Sequence, residues 1–122
     1  MADHLLVYIT TPNEEEALRI GRAVVERRLA ACANVVPAIR SLYWWEGRLV
    51  EDGEALLFLK TRAAVLQELI QAVRELHSYS VPCITAFPIV GGNPDYLKWV
   101  TEETAGGLNQ EPGAEAPGLS GN

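Results

Sequence analysis

Apolar positions along this chain switch between the strand and helix periods. Leu5-Leu6-Val7-Tyr8-Ile9-Thr10 is an apolar run of strand formers that stops at Thr11-Pro12-Asn13. Its lack of alternation predicts a central strand covered on both faces. A helix opens next. Either Thr11 caps it with Pro12 at the first position, or Asn13 caps it with Glu16 three residues on. Ala17, Ile20, Gly21, Val24 and Arg28 share one stripe of that helix, and Glu14, Glu15 and Glu16 favour the positive end of its dipole. Its charges read as solvated helix surface.

Residues 31–45 form a long extended segment containing Pro37. Proline donates nothing to a ladder, so this strand belongs at an edge. Glu46-Gly47 turns the chain, and residues 48–61 return as a second long strand with a bulge or bend expected at Asp52-Gly53. Ala55-Leu56-Leu57-Phe58-Leu59 is apolar at every position and needs cover on both faces. Residues 63–77 carry Leu66, Leu69, Ile70, Val73, Leu76 and His77 at helical spacing. A loop, Ser78-Tyr79-Ser80-Val81-Pro82, leads to a fourth strand over residues 84–90. Gly91-Gly92-Asn93-Pro94 breaks it, and a short helix follows over 95–103 with Tyr96, Trp99 and Val100 inward.

The order is β-α-β-β-α-β plus a short helix, which predicts an α+β, ferredoxin-like sandwich over residues 1–104. Both strand prolines, Pro37 and Pro88, fall in strands that this arrangement places at edges. With helices on one face only, the doubly apolar runs need another subunit on the other face. Trp44 and Trp45 at the hairpin tip point to opposite faces of a strand. The Tyr43 and Trp45 face is expected to line an inter-subunit cleft.

Composition adds limits. Residues 105–122 hold five of the ten glycines and two of the seven prolines, with Leu108 and Leu119 as the large apolar residues. That segment reads as a disordered tail without function. A formal net charge of -6 argues against a nucleic-acid or anionic-membrane surface. No apolar run reaches the roughly 20 residues of a membrane span. Met1-Ala2-Asp3-His4 shows no secretory pattern, so Cys32 and Cys83 read as cytosolic thiols.

Candidate chemistry is sparse. There is no phosphate-binding glycine loop, no Cys-x-x-Cys and no poised nucleophile, which leaves little support for an enzyme. His77 and Cys83 flank Tyr79 across one loop, and imidazole and thiolate both suit copper or zinc. Two ligands do not close a site, so a third has to come from elsewhere in the fold or from another subunit. His77 has two other readings, a helix-end histidine or a proton-transfer group. Cys32 sits among alanines, as a packed cysteine or as a metal or redox thiol. Lys60 interrupts an apolar strand, at a sheet end or facing a pocket; Glu46 and Glu54 are expected to pair with it or with Arg48 as exposed ions.

Several segments together resemble the CutA family of divalent-cation tolerance proteins. They are Thr10-Thr11-Pro12-Asn13-Glu14, Leu29-Ala30-Ala31-Cys32-Ala33-Asn34, Ser41-Leu42-Tyr43-Trp44-Trp45-Glu46-Gly47, Leu59-Lys60-Thr61, Leu76-His77-Ser78-Tyr79-Ser80-Val81-Pro82 and Tyr96-Leu97-Lys98-Trp99. The resemblance implies a cytoplasmic, non-enzymatic homotrimer similar in architecture to the PII signalling proteins. It also implies a link to tolerance of divalent cations, copper in particular. The resemblance matches Cys32 and His77 to the family's cysteine and histidine; with the Cys83 thiol of the same loop as His77, these are the expected metal ligands, with Tyr43, Trp45, Glu46, Lys60 and Tyr79 nearby in the inter-subunit cleft. The alternative is a PII-like adaptor that binds a small anionic ligand or a protein, for which Lys60 and Arg48 matter more. Two positions depart from the family pattern. Ser78 stands where proline is usual. Cys83 stands where glutamate is usual, exchanging a hard oxygen for a soft sulfur; this either shifts preference toward copper(I), abolishes the original role, or is simply a core-type cysteine.

Overall fold

The computed structural model describes residues 2–105. The expected tail lies outside them, apart from Ala105. Eight strand residues, His4–Thr11, form β1, and helix α1 follows over Glu14–Glu26. Asn13 caps α1 by accepting the Glu16 N–H at 2.8 Å, while Thr11 hydroxyl donates to the Asn13 carbonyl instead of capping. Strands β2, Cys32–Trp45, and β3, Arg48–Arg62, form a long hairpin. Glu46 and Gly47 both have positive φ, 50° and 78°, the backbone that a two-residue hairpin loop needs. A short 3₁₀ turn, Ala63–Val65, precedes α2, Leu66–Leu76. Strand β4 is Ile84–Pro88, and α3 is Pro94–Glu103.

The sheet order is β2-β3-β1-β4 with every neighbouring pair antiparallel. The two proline-bearing strands are therefore the edges, as their missing N–H groups require. β4 ends two residues short of expectation. The bulge lies in β2 rather than in β3. Val36 faces Leu56 and Ile39 faces Glu54, so the extra residue lies beside Pro37, while Asp52 and Gly53 pair regularly with Ser41 and Arg40. The residue without an N–H is the one that breaks the ladder.

Alternate residues of the central strands build the main core. Val7, Ile9, Ala55, Leu57 and Leu59 are buried against Ala17, Ile20 and Val24 of α1 and Leu69, Ala72 and Val73 of α2. Each fully buried aliphatic side chain here contributes about 1.5–3 kcal/mol. Gly21 sets how closely α1 lies on the sheet. A Cβ there would stand 3.1 Å from Ala33 Cβ and 3.2 Å from Leu57 Cδ1.

The second sheet face is not bare, which corrects the expectation of helices on one side only. Trp99 and Val100 of α3 pack with Ala31, Cys32 and Tyr96 in a separate cluster. Arg62 donates to Thr104, His4 pairs with Thr101, and Arg28 joins Glu103. Arg28 is thus a tether, not solvated helix surface. It lies beyond α1 with a φ of 63°. α3 covers one end of that face and leaves Val36 and Phe87 exposed and Leu6, Leu56 and Phe58 partly covered.

β1 ends at the Thr11 to Ala55 pair. Beyond it, β2 and β3 continue as a two-stranded arm. Leu42, Trp44 and Leu49 on this arm are 64%, 74% and 62% exposed. No helix among the described residues is long and apolar enough to cross a membrane.

Candidate functional site: a cleft beneath the arm

The loop after α2 folds against the base of the arm and encloses a cleft of about 840 Å³. Its walls include Tyr8, Tyr43, Trp45, Glu54, Tyr79 and Cys83. His77 anchors the loop from behind. Its side chain is fully buried. Nε2 lies 2.7 Å from the Thr10 carbonyl, and Nδ1 accepts the Tyr79 N–H at 3.0 Å. A carbonyl only accepts, so the hydrogen sits on Nε2. Glu16 ties the loop to α1 by accepting from both the N–H and the hydroxyl of Ser78 at 3.0 Å.

Tyr79 reaches from this loop to the arm and donates its hydroxyl to Glu54 Oε2 at 2.9 Å. Glu54 is only 7% exposed. Burial, the hydrogen bond to Glu54 and the nearby carboxylates push the Tyr79 hydroxyl far above its ordinary pKa. Tyr43 is shifted the same way by desolvation and by Asp52 and Glu54. Sequence reasoning gave Glu54 only an exposed pairing role. The available signal was its parity: it shares a strand face with Leu56 and Phe58, yet carries a charge.

The expected site residues divide between two places. Tyr43, Trp45, Tyr79 and Cys83 line the cleft. Glu46 is outside its walls because it forms the tip of the hairpin turn. Lys60 and Cys32 pair across β2 and β3 at the other end of the sheet, four residues along β3 from the Leu56 that faces Thr10. That is about 13 Å of strand. There Lys60 Nζ donates to Asn34 at 3.1 Å and lies 3.9 Å from Cys32 Sγ, with the Tyr96 ring 5.6 Å away. Cys32 Sγ is 3.4 Å from the Tyr96 hydroxyl, whose pKa is raised by burial and then by that thiol.

Among the described residues no three His, Cys, Asp or Glu side chains gather where they could hold an ion. Both cysteines are free thiols. Cys83 alone of the three expected ligands faces the cleft, because both nitrogens of His77 are engaged by the main chain.

Comparison with known proteins agrees with this architecture. A family model described as CutA1 divalent ion tolerance protein matches residues 5–103. The chain is 50% identical over 99 residues to the divalent-cation tolerance protein CutA of Thermus thermophilus, spanning 81% of this chain and 96% of that protein. It is 45% identical over 100 residues to Protein CutA 1, chloroplastic, of Oryza sativa, spanning 82% of this chain but 56% of that longer protein. A solved structure of the Thermus thermophilus divalent cation tolerance protein superposes with a TM-score of 0.81 at 48% identity, covering 83% of this chain and 98% of that one. A second, CutA from Xylella fastidiosa, gives 0.82 at 34% identity, covering 84% of this chain and 99% of that one. With the family model matched across nearly all of the described residues, the chain belongs to the CutA1 divalent ion tolerance protein family.

Proposed function

We propose that this chain works as a cytoplasmic homotrimer that holds divalent or soft metal ions, copper foremost, in clefts between subunits and catalyses no reaction. The observation that carries this reading is the cleft wall bearing both the Cys83 thiol and the Glu54 carboxylate. A thiol in that place favours copper(I) over harder ions. The trimer reading draws on the apolar face that α3 leaves open, Leu6, Val36, Leu56, Phe58 and Phe87, and on the exposed apolar arm. A second copy offers both cover for these surfaces and the donors that one chain lacks. In this reading Cys83 is the ligand on the near wall, and His77 holds its loop. Cys32, at the far end of the sheet, enters only as a donor to another subunit. The two unpaired thiols suit a reducing compartment.

Titration of the metal-free protein with copper(I) and copper(II), with mass followed by light scattering, tests the proposal. A trimer is expected to bind copper, and Cys83→Ser to weaken binding at least about tenfold. Equal affinity in the variant, or a monomer at working concentration, would overturn it.

A further inference from the structure

Glu54 is a nearly buried acidic side chain that lines the cleft without a counter-charge among the described residues. A carboxylate this buried needs a counter-charge or a full set of hydrogen bonds. Tyr79 supplies one hydrogen bond, to Oε2. Among the described residues no Lys, Arg or His forms an ion pair with it. Arg40, which also borders the cleft, is engaged by Glu51 at 3.1 Å. Lys60 is held by Asn34 at the far end of the sheet.

We propose that this cleft binds a small organic ammonium ion, with Glu54 as its counter-charge and Tyr43 and Tyr79 as the aromatic groups beside it. The inference rests on the reading that the cleft is the protein's binding site, and it extends that site from metal ions to organic cations. Three further features favour this class of ligand. Aromatic faces attract ammonium groups through their quadrupoles, and two tyrosines stand beside this carboxylate: Tyr79, bonded to it at 2.9 Å, and Tyr43, close enough to feel its charge. A cleft of about 840 Å³ has the size of a small-molecule site and far exceeds what a bare ion occupies. The raised Tyr43 and Tyr79 hydroxyls stay neutral, so both remain hydrogen-bonding rings and add no charge. An anionic ligand would meet Glu54 on the cleft wall and the charge of Asp52 beside Tyr43. A neutral apolar one would leave Glu54 buried without a counter-charge.

The probe pair is n-butylammonium and 1-butanol, which share a shape and differ in charge. Ligand-observed NMR on the protein at fixed ionic strength reads their binding. The ammonium is expected to bind on the order of tenfold more tightly than the alcohol. Glu54→Gln keeps an acceptor for Tyr79 and is expected to lose that preference. Tyr43→Leu tests the aromatic wall independently, should Glu54→Gln not fold. Equal binding of the two probes, or full binding by Glu54→Gln, would overturn the inference and point to a counter-charge from a neighbouring subunit. Ammonium binding without any copper binding would overturn the metal reading alone.

Discussion

Tyr79 and Glu54 join the loop after α2 to the base of the β2–β3 arm through one 2.9 Å hydrogen bond, 25 residues apart in sequence. The bond closes the wall of the cleft and gives a nearly buried carboxylate its one donor among the described residues. Removing the donor leaves Glu54 Oε2 without this partner, at a residue only 7% exposed. Tyr79→Phe is therefore expected to destabilise the fold by about 1–3 kcal/mol. Urea unfolding checks it: the midpoint should fall with the slope unchanged. An unaltered midpoint would mean that water replaces the hydroxyl at no cost.

Three tyrosines bind their protons more tightly in the fold than their ordinary pKa of 10.0 allows, Tyr43, Tyr79 and Tyr96. Between that value and the folded one, the native state holds protons that the unfolded chain has released. Stability from these groups is thus fully present below pH 10 and declines as pH rises through the folded values. Ultraviolet titration of tyrosinate should show part of the absorbance change delayed well beyond pH 10 until the protein unfolds. Simultaneous ionisation of all four tyrosines near pH 10 would contradict the burial described here.

Close approach of α1 to the sheet depends on the missing side chain of Gly21. Alanine would gain about 1 kcal/mol of helix propensity. Its Cβ would also press on Ala33 Cβ at 3.1 Å, an atom fixed by the backbone of β2. Overpacking of this kind costs about 1–3 kcal/mol. A net loss of about 1 kcal/mol is expected for Gly21→Ala, read as a lower thermal midpoint. A rise would mean that the helix shifts freely.

Much of this fold was legible because each rule acted locally. Pro37 and Pro88 mark edge strands through a missing N–H, and Asn13 with Glu16 marks the start of α1. The readings that failed depended on distant partners. The bulge was expected at Asp52-Gly53 from residue type, yet those residues pair regularly, and Pro37 on the facing strand distorts the ladder instead. Arg28 looked like helix surface until α3 brought Glu103 to it. The cleft was half legible. Period-two geometry put Tyr43 and Trp45 on one face, but the partnership of Glu54 with Tyr79 depends on how a loop crosses the sheet end. Sequence spacing does not encode that path.

The arm presents apolar side chains that its own subunit leaves uncovered. Trp45 is 46% exposed and borders the cleft, while Trp44 on the opposite strand face is 74% exposed. In the proposed trimer both become contact residues, and a buried tryptophan commonly costs more than 2 kcal/mol when truncated at an interface. Trp45→Ala is expected to shift the assembly toward smaller species on dilution, measured by light scattering. An unchanged mass at every concentration would remove the arm from the interface.

His77 allows the sharpest separation between holding the fold and holding a metal. Its ring is fully buried, donates from Nε2 to Thr10 and accepts from Tyr79 at Nδ1. Alanine removes both bonds, leaves the Thr10 carbonyl without its donor and opens a cavity behind the loop. Each lost bond costs about 0.5–1.5 kcal/mol, and the unsatisfied carbonyl and the cavity add to that. His77→Ala should lose about 2–4 kcal/mol in the presence of a strong chelator, where no metal contributes. Asparagine at this position is too short to span both partners, so His77→Asn should fall between the two. If the alanine variant is destabilised only when copper is present, His77 acts as a ligand and its buried hydrogen bonds contribute little. Loss of stability in chelator, with Cys83→Ser unaffected under the same condition, assigns His77 to the fold and Cys83 to the ion.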